Sequence, residues 1–332
     1  MHKYLLKIIS LLCVATVLCT LSACANNKEQ DTDKEGPVYH TITFNTNGGT
    51  PVESLEVLHG RHAHQPENPT LENYIFCRWE LADGRTWFFD SKTVTEDVDL
   101  EAVWIKAESL FGLSPMPDSD GIMITEIKKQ SEFEVLNIPS VINGKTVVAI
   151  SDDAFRSIHE RYAKKIVFPD TITYIGDNAF SGITNVTLVF SGKISYIGEE
   201  AFKNNASLSK ITLSEGFEKI PYCAFMGCTQ LKTIDIPEKV TLIEENAFED
   251  CENLTTIVLP STLTTVESAA FSGCDGIKSV FFRGSVQQFD SLDIARGNDI
   301  LENAKIYFYS EQEPTDEGMF WHYNKNGTPI IW

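Results

Sequence analysis

Two small groups of residues carry the types and spacing that chemistry needs. His59-Gly60-Arg61-His62-Ala63-His64 places three imidazoles within six residues. On a strand, His62 and His64 would share one side, and His59 could join them across a turn. Three imidazoles can hold zinc. No carboxylate or thiol stands beside them at a recognisable ligand spacing, so an ordinary strand surface and no metal is the expectation. The second group is Cys228, Cys251 and Cys274, each three residues after a Phe. If these positions stack one coil apart they repeat at about 4.8 Å, within reach of a disulfide. Stacked inward cysteines also serve as small apolar residues. With Cys77 and Cys223, the thiols after Cys24 number five, which is odd. Free, buried thiols are therefore expected for Cys223, Cys228, Cys251 and Cys274. The chain has no Ser-His-Asp order, nucleophile elbow, phosphate loop, dinucleotide fingerprint or zinc-protease helix. No catalytic residue, no cofactor and no enzyme are expected.

The elements that hold these residues follow from one phrase. An aliphatic residue, three others and then Ala-Phe recur at Ala154-Phe155, Ala179-Phe180, Ala201-Phe202, Ala224-Phe225, Ala247-Phe248 and Ala270-Phe271. Successive Phe spacings are 25, 22, 23, 23 and 23 residues, so one supersecondary unit is stacked on copies of itself. After each Phe come apolar residues at +6, +9 and +11, as in Leu231, Ile234 and Ile236, which predicts a short strand with one inward face. Pro237 and Pro260 end two of these strands because Pro cannot donate to a ladder. A second apolar pair follows, such as Val240 and Ile243, before Glu244-Glu245-Asn246 turns into the next Ala-Phe. No single copy can bury its own Phe, Leu and Ile, so only the array is stable.

Alternation then predicts an outward strand face. Its +10 positions are Phe190, Thr212, Asp235, Val258 and Phe281; its +8 positions include Thr233 and Thr256. Val258 and Phe281 would lie side by side, as would Thr233 and Thr256. An exposed apolar pair rimmed by polar residues is a contact site in the making, unless the C-terminal tail covers Phe281. The candidate ligand face is thus Phe190, Thr233, Asp235, Thr256, Val258 and Phe281.

The repeat resembles the BspA-like leucine-rich repeats, over roughly residues 121–283. The segment Ile138–Ile150 resembles that family's first coil. Asn205 at the position of the three cysteines fits the Asn/Cys site of such repeats, where the side chain satisfies backbone groups in the turn. Residues 284–332 break the period and carry many aromatics, and are expected to cap the last coil. Residues 39–104 follow a different pattern: alternating Thr41-Ile42-Thr43-Phe44, the turn Asn47-Gly48-Gly49, Val57 and Gly60, Pro66 and Pro69, Phe76 with Trp79, and Leu100 with Trp104. They resemble the internalin-type B repeat, also called the Listeria–Bacteroides repeat, which implies a small β-grasp-like domain. Residues 105–120 are expected to link the two. The fold expected is mainly β: a leucine-rich-repeat solenoid of about 23-residue coils preceded by a small β-grasp-like domain.

The N-terminus is a targeting segment. His2, Lys3 and Lys7 precede the apolar run Ile8–Leu18, which is short for a membrane span. Leu21-Ser22-Ala23-Cys24 resembles the bacterial lipoprotein box. That resemblance implies removal of residues 1–23 and a diacylglyceryl group on Cys24, with two acyl chains sufficient for stable anchoring. Residues 24–38 are polar and charged, a disordered tether. The formal charge of −20 becomes −22 once Lys3 and Lys7 are removed. Such a charge argues against nucleic acid as a partner and suits an exported protein. The functional expectation is a lipid-anchored bacterial envelope protein, adhesin-like, binding host or neighbouring-cell macromolecules through its solenoid. Its partner would be an extracellular protein or glycan. Two alternatives stand beside it. One is a non-binding envelope spacer, and the other is a glycan-binding module built on Trp321, Tyr323 and Trp332.

Overall fold

The computed structural model describes residues 36–128, 132–156, 158–315 and 318–332. Cys24 and the rest of the targeting segment lie outside the described residues. Tyr39–Trp332 forms one compact unit.

The small domain begins with β1 (Tyr39–Asn45), β2 (Leu55–Leu58), β3 (Arg61–His62), β4 (Tyr74–Glu80), β5 (Thr93–Val94) and β6 (Val98–Lys106). Four of these make a sheet in the order β2-β1-β6-β4, with β1 and β6 parallel at its centre. Alternation in β1 sends Ile42 inward and leaves Thr43 exposed. The turn after β1 uses the left-handed residues Asn47 and Gly48. Its next residue, Gly49, lies so close to the Trp104 ring that a Cβ would stand 2.5 Å from it. Trp104 Nε1 in turn donates to Thr46 O at 2.9 Å.

β4 belongs to two cores at once. A bulge interrupts its register with β6 between Phe76 and Arg78, which puts Phe76 and Trp79 on one side despite their odd spacing. Phe76 and Trp79 pack in the small-domain core, while Ile75 and Cys77 join the core of the solenoid. The residues read as a linker are structural too. The helix α1 (Ala107–Leu110) and β7 (Phe111–Pro115) follow β6 directly, and β7 pairs with β8 (Ile122–Ile127). Ala107, Leu110 and Phe111 are fully buried, so this stretch closes the start of the solenoid. Asn143 N and Asn143 Nδ2 fasten the joint, donating to Asn73 Oδ1 at 2.6 Å and Glu108 Oε2 at 3.0 Å.

The solenoid has about 24 residues per turn and carries two parallel sheets. The first holds the strands at +9 to +11: β9 (Phe133–Asn137), Ala163–Phe168 and Thr187–Phe190, then Thr233–Asp235, Thr256–Leu259, Ser279–Phe282 and Lys305–Tyr309. The second runs through β8, Lys145–Ile150, Tyr174–Ile175 and Tyr196–Ile197, then Lys219–Ile220, Leu242–Ile243, Thr265–Val266 and Asp293–Ile294. Both sheets are interrupted between the coils on either side of Phe202, where Ile194 bridges to Leu213 instead.

A third ladder runs unbroken through that interruption. Each Phe N–H of the phrase donates to the Ala carbonyl of the next coil, from Phe155 to Ala179 (2.9 Å) through Phe248 to Ala270 (2.8 Å). The rings of Phe202, Phe225, Phe248 and Phe271 stack at 5.6, 5.2 and 5.3 Å within 5° of parallel. The turns around the Ala-Phe pairs carry left-handed residues. They are Asp153, Asn178, Glu200, Cys223, Asn246 and Ala269 two residues before Phe, and Gly182, Asn204, Gly227, Asp250 and Gly273 two residues after five of them. Asn, Asp and Gly recur there because they tolerate that region best.

The tail does more than cap. Asp293–Ile294 and Lys305–Tyr309 extend both parallel sheets. Phe320–Tyr323 then adds in parallel to the first sheet, and Pro329–Ile331 turns back antiparallel. Asn298 ends the Ala-Phe ladder: its Oδ1 accepts from Phe271 N at 3.0 Å, where an Ala carbonyl would otherwise stand.

Candidate functional site

The three histidines do not converge. His59 Nδ1 lies 2.9 Å from His40 Nε2, whereas His62 Nδ1 lies 2.9 Å from Lys92 O. Among the described residues, no three His, Cys, Asp or Glu side chains are placed to hold a metal ion.

Cys223, Cys228, Cys251 and Cys274 are buried thiols outside any disulfide. Three of them have a structural task. The thiols of Cys228, Cys251 and Cys274 donate to the carbonyls of Phe202, Phe225 and Phe248 at 3.2, 3.1 and 3.0 Å. Asn205 Nδ2 does the same for Phe180 O at 3.1 Å. A buried carbonyl needs a donor, and either residue type supplies one. Burial pushes the Cys228 thiol well above its ordinary range. The bond with Cys274 and then burial do so for Cys251. These thiols stay protonated and unreactive.

Many carboxylates are also occupied by the backbone. Asp152 Oδ1 accepts from Asp177 N, and Asp177 Oδ1 from Glu199 N, each at 2.9 Å. Glu244 and Glu267 accept from Tyr222 N and Glu245 N at 2.9 and 3.0 Å. The Gly residues before these turns, Gly176 and Gly198, leave room for them: a Cβ on either would sit 2.2 Å from a carboxylate oxygen.

The predicted strand face is assembled in part. Thr233 pairs with Thr256, and Val258 with Phe281. Three members are not where alternation alone put them. Phe190 points inward, stacked on Phe168 at 4.6 Å and 8°, and Leu188 beside it is buried. Its coil has 22 residues between successive Phe, and its apolar residues fall at +6, +8 and +10. One residue fewer before the strand moves its whole set to the other face. Val258 and Phe281 are 1% and 7% exposed because fully buried Trp321 lies over them, with Tyr307 and Tyr323 around it. Phe281 meets the Trp321 ring edge-on at 5.5 Å. The apolar pair is therefore a docking site for the chain's own tail. Trp332 stacks on His322 at 3.8 Å, so Trp321, Tyr323 and Trp332 do not form an open aromatic platform.

Asp235 is the hinge of that docking. Arg283 Nη2 bonds both Asp235 Oδ1 and Tyr323 OH. Tyr323 OH donates to Asp235 Oδ2 at 2.7 Å, and Arg283 Nη1 donates to Ile236 O at 2.7 Å. Burial works to lower the Arg283 pKa, but the Asp235 carboxylate and the Tyr323 phenol hold it above its ordinary value. Burial, then Asp235, push Tyr323 up as well. Arg283, Tyr323 and Asn298 carried no periodic signal; Asn298 meets Phe271 27 residues away, and Arg283 and Tyr323 meet Asp235 48 and 88 residues away. What stays open on the face is polar: Lys210, Thr212, Lys232 and Thr233 are exposed, and Thr256 and Ser279 half-buried.

Two parallel sheets joined by an Ala-Phe edge define a leucine-rich-repeat protein. More narrowly, the chain belongs to the family of the BspA type leucine rich repeat region, matched in six copies over residues 125–223 and 184–292. The small domain matches the Listeria-Bacteroides repeat domain over residues 40–103. A leucine rich cell surface protein of Faecalibacterium prausnitzii is similar at 27% identity and a TM-score of 0.38, over 55% of this chain and 40% of that one. A leucine-rich repeat protein from Eubacterium ventriosum is similar at 21% identity and a TM-score of 0.42, over 63% and 52% of the two chains. A protein of Evansella cellulosilytica named "Putative membrane protein" shares 34% identity over 67 residues, 20% of this chain and 10% of that protein. The chain thus spans well under two thirds of these relatives. Of these relatives, one is named a cell surface protein and another a putative membrane protein.

Proposed function

We propose that this is a lipid-anchored envelope protein that binds an extracellular macromolecule through the outer face of its first sheet, in the manner of an adhesin. The observation that supports this reading is the division of labour among the polar groups. Carboxylates at the Ala-Phe edge cap the backbone, and the cysteines satisfy carbonyls. The row Lys210, Thr212, Lys232 and Thr233 on the strand face is left to solvent, with Thr256 half-buried beside it. Strand faces of this kind give a long, rigid contact surface. The lipid would sit on Cys24 and the solenoid would be held away from the bilayer by residues 24–38. No part of this arrangement calls for catalysis or a cofactor.

Two measurements test it. Cys24→Ser should move the protein from the detergent phase to the aqueous phase in a detergent-partition assay. Full-length protein should bind at least one immobilised extracellular-matrix protein or mucin saturably, and the double variant Thr233→Arg, Thr256→Arg should lose at least tenfold in affinity. Equal binding by that variant would sink the assignment of the face.

A further inference from the structure

The seam between the small domain and the solenoid, where β4 runs beside β9, opens into a groove of about 650 Å³. That volume is typical of a small-ligand site. Trp79, Trp87 and Phe88 wall it from the small domain; Glu132, Glu134 and Lys164 wall it from the first coils. The groove is fixed in shape because the two bodies share β4 and the Asn73–Asn143 joint.

Three features point to what it takes. First, Phe88 is a large ring 51% exposed at this groove. Second, Gln65 and Asn68 line the groove with neutral amides, joined to each other by one hydrogen bond at 3.1 Å, and an amide both gives and takes hydrogen bonds. Third, two of its three cations are held in ion pairs: Lys164 with Glu134 at 2.9 Å and Arg78 with Glu80 at 2.5 Å, while Arg161 lies 5.0 Å over the Tyr162 ring. Three basic and four acidic side chains line the groove, in a chain of charge −20. An anionic ligand would meet an unfavourable net field.

We infer that this groove binds a neutral oligosaccharide. A sugar ring offers a C–H face to pack on Phe88, and hydroxyls to exchange hydrogen bonds with the Gln65 and Asn68 amides. Its hydroxyls also match carboxylate and amide rims, which take and give hydrogen bonds without demanding a charge. The groove adjoins the first two strands of the first sheet, whereas the row proposed above lies on later coils at Lys210–Thr256, so the two stand or fall separately.

The test uses full-length protein in a detergent without sugar headgroups. Neutral hexamers of β-1,4-glucose, α-1,4-glucose, β-1,4-N-acetylglucosamine and α-1,6-mannose are titrated against tryptophan emission, with hexagalacturonate as the acidic counterpart. At least one neutral hexamer should give a saturable change. Phe88→Ala should weaken it tenfold or more with the melting temperature unchanged, since Phe88 is exposed. Asn68→Ala, which removes one amide from the groove, should weaken it as well. Thr233→Arg with Thr256→Arg should leave it unchanged. No saturable response to any neutral hexamer, undiminished binding by Phe88→Ala, or a response only to hexagalacturonate would overturn the inference.

Discussion

The small domain and the Phe ladder of the solenoid pack the same kind of ring by different rules. In the small domain, Phe44 meets Trp79 at 4.8 Å and 60°, and Phe76 meets Trp104 at 5.6 Å and 75°. These tilted contacts suit the ring quadrupole. In the solenoid, Phe225 and Phe248 lie at 5.2 Å and 5°, a spacing set by the hydrogen-bonded coils rather than by the rings. Side chains choose the geometry in one region, and the backbone chooses it in the other. Each solenoid Phe therefore depends on its neighbours one coil up and one coil down, as a nearest-neighbour array requires.

That difference can be broken most forcefully at Phe225. Phe225→Ala removes a fully buried ring from the middle of the ladder, at a cost of about 3–5 kcal/mol. In urea denaturation followed by hydrogen exchange, amides of the coils on both sides should lose protection. Phe44→Ala, half-buried in the small domain, should cost about 2 kcal/mol and leave the Phe225–Phe271 amides protected. The opposite result, one common loss for either variant, would mean that β4 couples the two cores too tightly for them to respond separately.

Next in size is the tail lock. Arg283→Met leaves Asp235 without its cation and loosens Tyr323. Both Asp235 and part of the cluster face solvent, so the expected cost is about 1–2 kcal/mol, below that of a buried pair. Exchange should quicken at Phe320–Ile331, and Val258 and Phe281 should become accessible to an apolar dye. Unchanged exchange there would show that Trp321 holds the tail alone.

Alkaline pH should expose the solenoid's own weakness. Buried thiols at Cys228 and Cys251 have folded pKa values raised above their ordinary 9.0. Burial first, then the neighbouring Tyr196, push Tyr174 up to about 12 from 10.0. A raised folded pKa means that the unfolded chain loses its proton first. Stability is thus complete below about pH 9, falls as thiols of the unfolded chain ionise above it, and falls further from pH 10 towards 12. Cys228→Asn, which keeps a donor for Phe202 O as Asn205 does for Phe180 O, should flatten the slope between pH 9 and 10 in denaturation curves. An unchanged slope would show that Cys228 makes no contribution to the alkaline loss.

The comparison also explains what could be foreseen from sequence. The period gave away the Phe ladder, the inward Ile234 and Ile236, and the pairings Thr233–Thr256 and Val258–Phe281, because each repeats a local rule. It misplaced Phe190, since one missing residue reverses a strand's faces and alternation was counted from the Phe rather than from the apolar residues. It could not show that Trp321 covers Phe281, 40 residues away and outside the period. The junction groove was hidden for the same reason: Trp87 and Lys164 meet only through folding, and neither stands in a motif.

The finest test of the regular region concerns a single backbone position. Two residues before each Phe the chain is left-handed, and six coils fill that place with Asp153, Asn178, Glu200, Cys223, Asn246 and Ala269. Ala269 has φ 55° and no side chain that can bond locally to offset the strain, unlike Asn or Asp. If coil geometry overrides residue preference here, the strain is real and removable. Ala269→Asn should then stabilise the protein by about 0.5–1 kcal/mol, read as a higher urea midpoint at unchanged slope. Ala269 is half-buried and its N–H donates to Arg296 O at 2.9 Å, so the turn itself should be retained. The same change at Asn246, reversed to Ala, should cost a similar amount. A gain at one site without the matching loss at the other would show that the final coil, which ends on Asn298 instead of another Ala-Phe, obeys its own rules.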